Sequence, residues 1–328
     1  MHRHKAFVSG AGSQPAAASQ AASPHSATQR EAGLRAPRRL RACPTVTLIV
    51  AVLLMAPLAA SDFSGAKALQ DTGRAVAFGP RPPGSPALRN LRAYIEAQLR
   101  PLRCHVGEDS FAAITPDGPV QMTNVIAHFP GSSSQALVIT GHYDTKKQPR
   151  FVGANDGGSS TGFLLELARV ISSRKWNSDI YLVWFDGEEA FHEWNETDSV
   201  YGSRHLAELW SRDGTLARVK ALINIDMIGD RDLDIAKDTG SSPDLLQLVW
   251  KSAYDLGYGR YFTDAEGPIE DDHSPFLARG ANALDVIDFD YGPSNSWWHT
   301  PEDTMDKLSA HSFQVVGDVV LAAMARLD

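Results

Sequence analysis

The sequence predicts an α/β fold, a single-domain three-layer sandwich around a mostly parallel central sheet. Two observations carry that prediction. Short apolar runs of strand character recur between residues 123 and 289, and stretches with helical periodicity stand between them. Strands separated by helices of about 10 to 15 residues build parallel sheets covered on both faces. The apolar runs also end repeatedly in clusters of His, Asp and Glu, and in such folds ligands gather outside the carboxyl ends of the strands.

Residues 1–30 are mainly Ala, Ser, Gln, Gly and Pro, too poor in bulky apolar groups to offset the entropy of ordering, so disorder is expected there. "RRLRACPTVTLIVAVLLMAPLAAS" then sets three arginines before an uncharged run, residues 45–60. Its length suits a signal core of roughly 7 to 15 apolar residues better than a span of about 20, whereas the long segment before it favours an uncleaved anchor. A buried core helix is the third reading. Signal or anchor, it places the remainder outside the cytoplasm as an exported (periplasmic or secreted) protein, with the membrane touched only through this segment. Residues 1–61 are therefore read as targeting sequence and 62–328 as the catalytic domain.

Within that domain, residues 88–99 place Leu88, Leu91, Tyr94, Ile95 and Leu99 on one helical stripe. "TNVIAHF" (123–129) and "ALVITG" (136–141) read as strands, 159–172 as a helix and "DIYLVWF" (179–185) as a buried strand. A helix near 202–211 leads to the strand-like "ALINIDMIG" (221–229). "SSPDLLQLVWKSAYDLG" (241–257) opens with a Ser cap and a Pro in the first turn, both helix-start signals. "ALDVIDF" (283–289) is a further strand, and the chain closes on an amphipathic helix through Phe313, Val316, Val320, Ala323 and Leu327.

Residues 1–44 hold seven of the 31 basic residues and one of the 39 acidic ones, leaving 24 against 38 in positions 45–328, a balance of −14. Nucleic-acid binding is disfavoured on that balance, because phosphate recognition needs clustered positive charge. The two cysteines are Cys43 and Cys104. With Cys43 in the targeting segment, no internal disulfide is expected after cleavage, and Cys104 is read as packing beneath the sheet. A body of about 267 residues buries a full core without such staples.

The strand ends bring forward His142 in "GHYDT", Glu188 and Glu189 in "DGEEAF", Asp226 closing "ALINID", and His299 in "SNSWWHT"; Asp156 stands in "GANDGGSS". Two imidazoles and four carboxylates around one point repel unless a cation is present, which makes a metal site the economical reading. The mixed nitrogen and oxygen donors suit zinc and are compatible with Mn²⁺ or Co²⁺. Taken alone, Asp156 would be a solvated loop acid; with the others, its glycine neighbours let the backbone carry a carboxylate close to a metal. Of Glu188 and Glu189, one can bind the ion while the other shuttles protons. Asp144, two residues past His142, can orient that imidazole.

The ordered set "GHYDT", "GANDGGSS", "DGEEAF", "NIDMIG", "DDHSPF" and "WWHT" resembles the M28 zinc peptidase clan, and within it the glutaminyl-peptide cyclotransferases. The latter likeness rests on "GPRPPGSP" (79–86), "DGEEAFHEW" running into "DSVYGSRHLA", the double acid of "EDDHSPF" and Trp298 directly before His299. It spans about residues 70–325 and implies a zinc-exopeptidase-like fold. It also implies that Asp156, Glu189 and His299 hold one catalytic zinc, that Glu188 is the general acid/base, and that Asp226 and Asp271 position the reacting amine and amide. Trp194 and Trp298 match aromatic positions near the substrate, and His142 matches the position that, with Asp226, binds a second metal in the two-zinc aminopeptidases. The implied substrates are peptide or protein N-termini, with an N-terminal glutamine closing to pyroglutamate and ammonia. The aminopeptidase is the alternative reading. The chain departs from the animal cyclotransferases in "GANDGGSS", which reads like the peptidase form, in Gly141 replacing a cysteine, and in Asp285 replacing a histidine.

Overall fold

Long apolar runs flanked by polar turns set the middle of the molecule. The computed structural model describes residues 62–328; the expected targeting segment lies outside them. Eight strands are present among these residues: β1 (His105–Thr115), β2 (Gly118–Phe129), β3 (Ala136–His142), β4 (Asp179–Phe185), β5 (Val219–Asp226), β6 (Ile235–Asp238), β7 (Phe262–Gly267) and β8 (Ala283–Ile287). The helices are α1 (Gly65–Val76), α2 (Pro86–Leu99), α3 (Gly158–Ser173), α4 (Tyr201–Asp213), α5 (Pro243–Asp255), the short α6 (Ser274–Leu277) and α7 (Ala310–Leu327).

Six strands form one sheet in the order β1-β2-β4-β3-β5-β8, and β6 pairs with β7 apart from it. The β4-β3-β5-β8 portion is parallel, while β1 and β2 join antiparallel at one edge. Along β3, Leu137 and Ile139 enter the core shared with α1, α3, α5 and α7, whereas Val138 faces a second core with Leu206, Ala207 and Trp210 of α4 and Phe276 of α6. Leu182 and Val183 of β4, and Ile223 and Leu222 of β5, divide in the same way. That alternation produces the expected three layers, since successive side chains of a strand point to opposite faces.

Ser242 occupies the N-cap of α5 with Pro243 in the first turn, but its Oγ accepts the backbone N–H of Ala283 on β8 at 3.0 Å instead of capping its own helix. Cys104 is half-buried at the start of β1, packed against the larger core, with burial pushing its thiol pKa up. Helix α1 presents small residues inward, and α3 meets it at Gly162, where a Cβ would lie 2.2 Å from Thr72 Oγ1 and 2.4 Å from the carbonyl oxygen of Ala68. Gly162→Val is therefore expected to cost about 1–3 kcal/mol by overpacking. Thermal unfolding would show this as a lower Tm with the fold retained, and an unchanged Tm would mean the two helices are not in this contact.

Candidate active site

The parallel strands aim four polar segments at one rim. His142 is the last residue of β3, Glu188 and Glu189 follow β4, Asp226 ends β5, and His299 lies in the connection from β8 to α7. Asp156 enters from the loop between β3 and α3, directly before the helix N-cap Gly157. Gly157 has φ 76°, and a Cβ there would stand 2.4 Å from the Asp144 carbonyl oxygen and 3.0 Å from the His142 ring. Only glycine lets the chain pass that close, which is how the glycine-rich loop delivers its acid.

Asp156 joins two groups of donors. Its Oδ1 is 3.2 Å from His142 Nε2, and its Oδ2 is 3.2 Å from His299 Nε2. His299 Nε2 is also 3.2 Å from Glu189 Oε1, and His142 Nε2 is 3.2 Å from Asp226 Oδ1. The ligand atoms of Asp156, Glu189 and His299 all lie within 4.8 Å of one another, as do those of His142, Asp156 and Asp226. Asp156 Oδ2 makes no hydrogen bond although an imidazole nitrogen stands beside it, the arrangement of donors that face a common ion. The donor chemistry and its burial fit a divalent cation of the zinc type.

The electrostatics agree with that fit. Burial opposes the charge on Asp156, but the imidazoles of His142 and His299 hold its pKa below the usual carboxylate range. Burial alone would lower both histidines; Glu188, Asp226, Asp144 and Asp156 nevertheless hold His142 well above its ordinary value, and Asp156 and Glu189 take His299 to about 9. Glu189 is raised by burial and by Asp156, and Asp226 by burial. Glu188 is raised well above the carboxylate range by burial, with Glu189, Asp271 and Asp272 adding to it against the pull of His142. Asp271 is raised well above that range by burial and by Asp285, Asp226 and Asp272. So many buried acids with so few cations is the charge pattern of a site built for a metal.

Asp144 lies beneath His142 with Oδ1 3.4 Å from Nδ1 and also accepts the backbone N–H groups of Glu188 and Glu189. It thus ties the end of β3 to the acid pair after β4. Glu188 Oε2 is 3.7 Å from His142 Nδ1. Trp194, Trp298, Asp271 and Glu188 line the same cavity of about 400 Å³ as the donors Asp156, Glu189, Asp226 and His299. Trp298 stacks on the His299 ring at 4.0 Å between centroids, and Trp194 donates to Glu270 Oε2 at 3.2 Å. Asp271 is buried with Oδ2 unpartnered.

Three contributors escaped the sequence reading. Asp303 accepts the backbone N–H groups of Asn155 and Asp156 and the Tyr291 hydroxyl, and so fixes the loop that carries Asp156. Lys146 donates from its backbone N–H to Glu189 Oε1 at 3.1 Å and brings its ammonium 3.4 Å from Oε2. Arg81 of "GPRPPGSP" is fully buried and donates to the carbonyls of Gly79, Tyr143, Val152 and Gly153, stapling both flanks of the site loop. The position of Asp303 four residues after His299 and of Lys146 four after His142 was the available signal. The backbone of His299 is strained as well, at φ 53°, as is that of Met227 beside Asp226, at φ 49°, and such strain collects at functional sites.

The profile of peptidase family M28 matches residues 124–324, a stretch that contains every donor above. The chain belongs to peptidase family M28. Among M28 relatives, it is 34% identical over 252 residues to a glutaminyl-peptide cyclotransferase of Drosophila melanogaster, covering 68% of this chain and 70% of the relative. The solved glutaminyl cyclase of an Acidobacteriales bacterium superposes with a TM-score of 0.79 at 40% identity, over 83% of this chain and 97% of that one. A Zn-dependent exopeptidase from Parabacteroides distasonis gives a TM-score of 0.72 at 27% identity, over 81% and 99%. Within M28 the chain thus falls in the glutaminyl-peptide cyclotransferase branch, with the zinc-exopeptidase-like fold and the zinc dependence expected from its motifs.

Proposed function

We propose that this M28 enzyme converts the N-terminal glutamine of peptides or proteins to pyroglutamate with release of ammonia, using one zinc ion held by Asp156, Glu189 and His299. The observation that carries the reading is the meeting, in one cavity, of that donor set with Glu188, Asp271 and a tryptophan wall. Zinc bound there supplies a Lewis acid toward the γ-carbonyl oxygen of the substrate. Glu188 accepts a proton from the α-amine as its nitrogen bonds to the side-chain carbonyl carbon, Cδ, then delivers a proton to the amide nitrogen as the Cδ–N bond breaks and ammonia leaves. Asp226 and Asp271 accept hydrogen bonds from the reacting amine and amide. Nucleophile and carbonyl share one residue, so part of the entropic barrier is already met. Trp194 and Trp298 exclude water, which would otherwise compete as nucleophile and give glutamate.

His142 supports the single ion. Its Nε2 already faces Asp156 and Asp226 at 3.2 Å each, so the imidazole can bridge these two carboxylates where a second metal would otherwise sit. One observation favours the two-zinc aminopeptidase: the donors of His142, Asp156 and Asp226 are as closely gathered as the first set. Incubation with Gln-β-naphthylamide and Leu-p-nitroanilide separates the readings. Ring closure with ammonia is expected from the first substrate, whereas p-nitroaniline from the second would overturn the cyclotransferase. Asp271→Ala is expected to lower kcat/KM for cyclisation by about ten- to a hundredfold, the range for a lost hydrogen bond to a charged group; wild-type rates would remove Asp271 from the mechanism.

A further inference from the structure

We infer that the active-site cavity continues into an acidic groove that selects polypeptides carrying lysine or arginine beyond the residue that follows the N-terminal glutamine. The inference rests on the cyclotransferase reading above. Ile269, Ile287 and Phe289 line both the zinc-donor cavity and a neighbouring one of about 420 Å³. Asp234 and Asp290 in turn line both that second cavity and a third of about 400 Å³, which is walled further by Asp230 and Asp232. The three spaces therefore adjoin in succession away from the site, each sharing wall residues with the next.

The character of the path changes along its length. Its neck is apolar, formed by the two isoleucines and Phe289, and its far part gathers Asp232, Asp234, Glu266 and Asp290, all exposed. None of these four has an ion-pair partner among the described residues. The only cation lining these two outer cavities, Lys237, is taken by Asp264 at 2.6 Å. Asp288, fully buried, holds the backbone N–H of Asp234 at 3.1 Å through Oδ2 and leaves Oδ1 without a hydrogen-bond partner.

A substrate polypeptide anchored by its first residue has to leave the cavity, and an extended chain advances about 3.3–3.6 Å per residue. Residues past the second are those that reach the unpaired carboxylates, where a cationic side chain is the complementary group. Exposed contacts of this kind are each worth about two- to fivefold in binding, so two engaged lysines give roughly tenfold. The effect should shrink with salt, because charges this exposed are screened within about 10 Å at 0.1 M.

The test compares the peptides Gln-Ala-Lys-Lys-Ala and Gln-Ala-Glu-Glu-Ala on the full-length enzyme, with Gln-β-naphthylamide as a substrate too short to enter the groove. Wild type should show a kcat/KM about tenfold higher for the lysine peptide at low salt, narrowing as salt is raised. The double variant Asp234→Asn/Asp290→Asn should lose the preference, and Asp234→Lys/Asp290→Lys should invert it, all three enzymes turning over Gln-β-naphthylamide equally. Equal rates on the two peptides, or a preference that survives in both double variants, would overturn the groove while leaving the cyclotransferase intact. Failure on Gln-β-naphthylamide itself would instead sink the cyclotransferase reading, and the groove with it.

Discussion

Replacement of Glu188 with Gln is expected to lower kcat by about 10²- to 10⁴-fold, the usual contribution of a positioned acid/base group, with zinc content unchanged. The side chain is almost fully buried, lines the cavity beside the donor set, and belongs to neither cluster of metal donors. Its backbone N–H is held by Asp144, so the amide variant keeps the shape and the anchoring and loses only the ability to carry a proton. Glu189 cannot substitute, because its Oε1 is 3.2 Å from His299 Nε2 and its Oε2 faces Lys146. Parallel kinetics and metal analysis by mass spectrometry decide the point. Comparable losses of zinc and of turnover would make Glu188 a ligand or a structural support.

The second large effect is expected at Asp156. Asp156→Ala removes the one carboxylate shared by both donor groups and should reduce zinc affinity by more than the roughly 10- to 100-fold typical of losing an outer-sphere partner. Activity should fall in step with metal content. The same site predicts a pH dependence of metal uptake. In the metal-free protein, Asp156 and Glu189 hold His299 at about 9 against the lowering effect of burial, and a metal takes only the unprotonated imidazole. Near neutral pH, zinc must displace that proton, so apparent affinity should rise roughly tenfold per pH unit up to about 9. Chelator competition across pH measures this, and a flat profile would mean that His299 is not a ligand.

The parts of the fold that were legible are those whose sequence has a period. β3, β4, β5 and β8 are buried along almost their whole length and read as continuous apolar runs, and α2 and α7 show their stripes plainly. Helix α1 was missed because it packs through Gly65, Ala68, Thr72 and Ala75, residues too small to mark an apolar face. Strand β1 was missed because it is an edge strand, exposed over much of its length and held by backbone pairing to β2. The site follows the same logic. His142, Asp156, Glu188, Glu189, Asp226 and His299 stand out as polar residues at the ends of apolar strands or in a glycine-rich loop, and the structure brings them to one rim. Asp303 and Arg81 act on backbone groups, so their partners are set by tertiary approach; no spacing announces Arg81, and the place of Asp303 four residues after His299 does not reveal what it binds.

The central claim is that three side chains, drawn from the loop before α3, the segment after β4 and the connection after β8, hold one zinc ion. Anomalous scattering from a crystal at the zinc edge tests it directly. The expected map has a single peak bounded by Asp156, Glu189 and His299, with none between His142 and Asp226. A peak of equal height at that second position, or no peak at the first, would contradict the account.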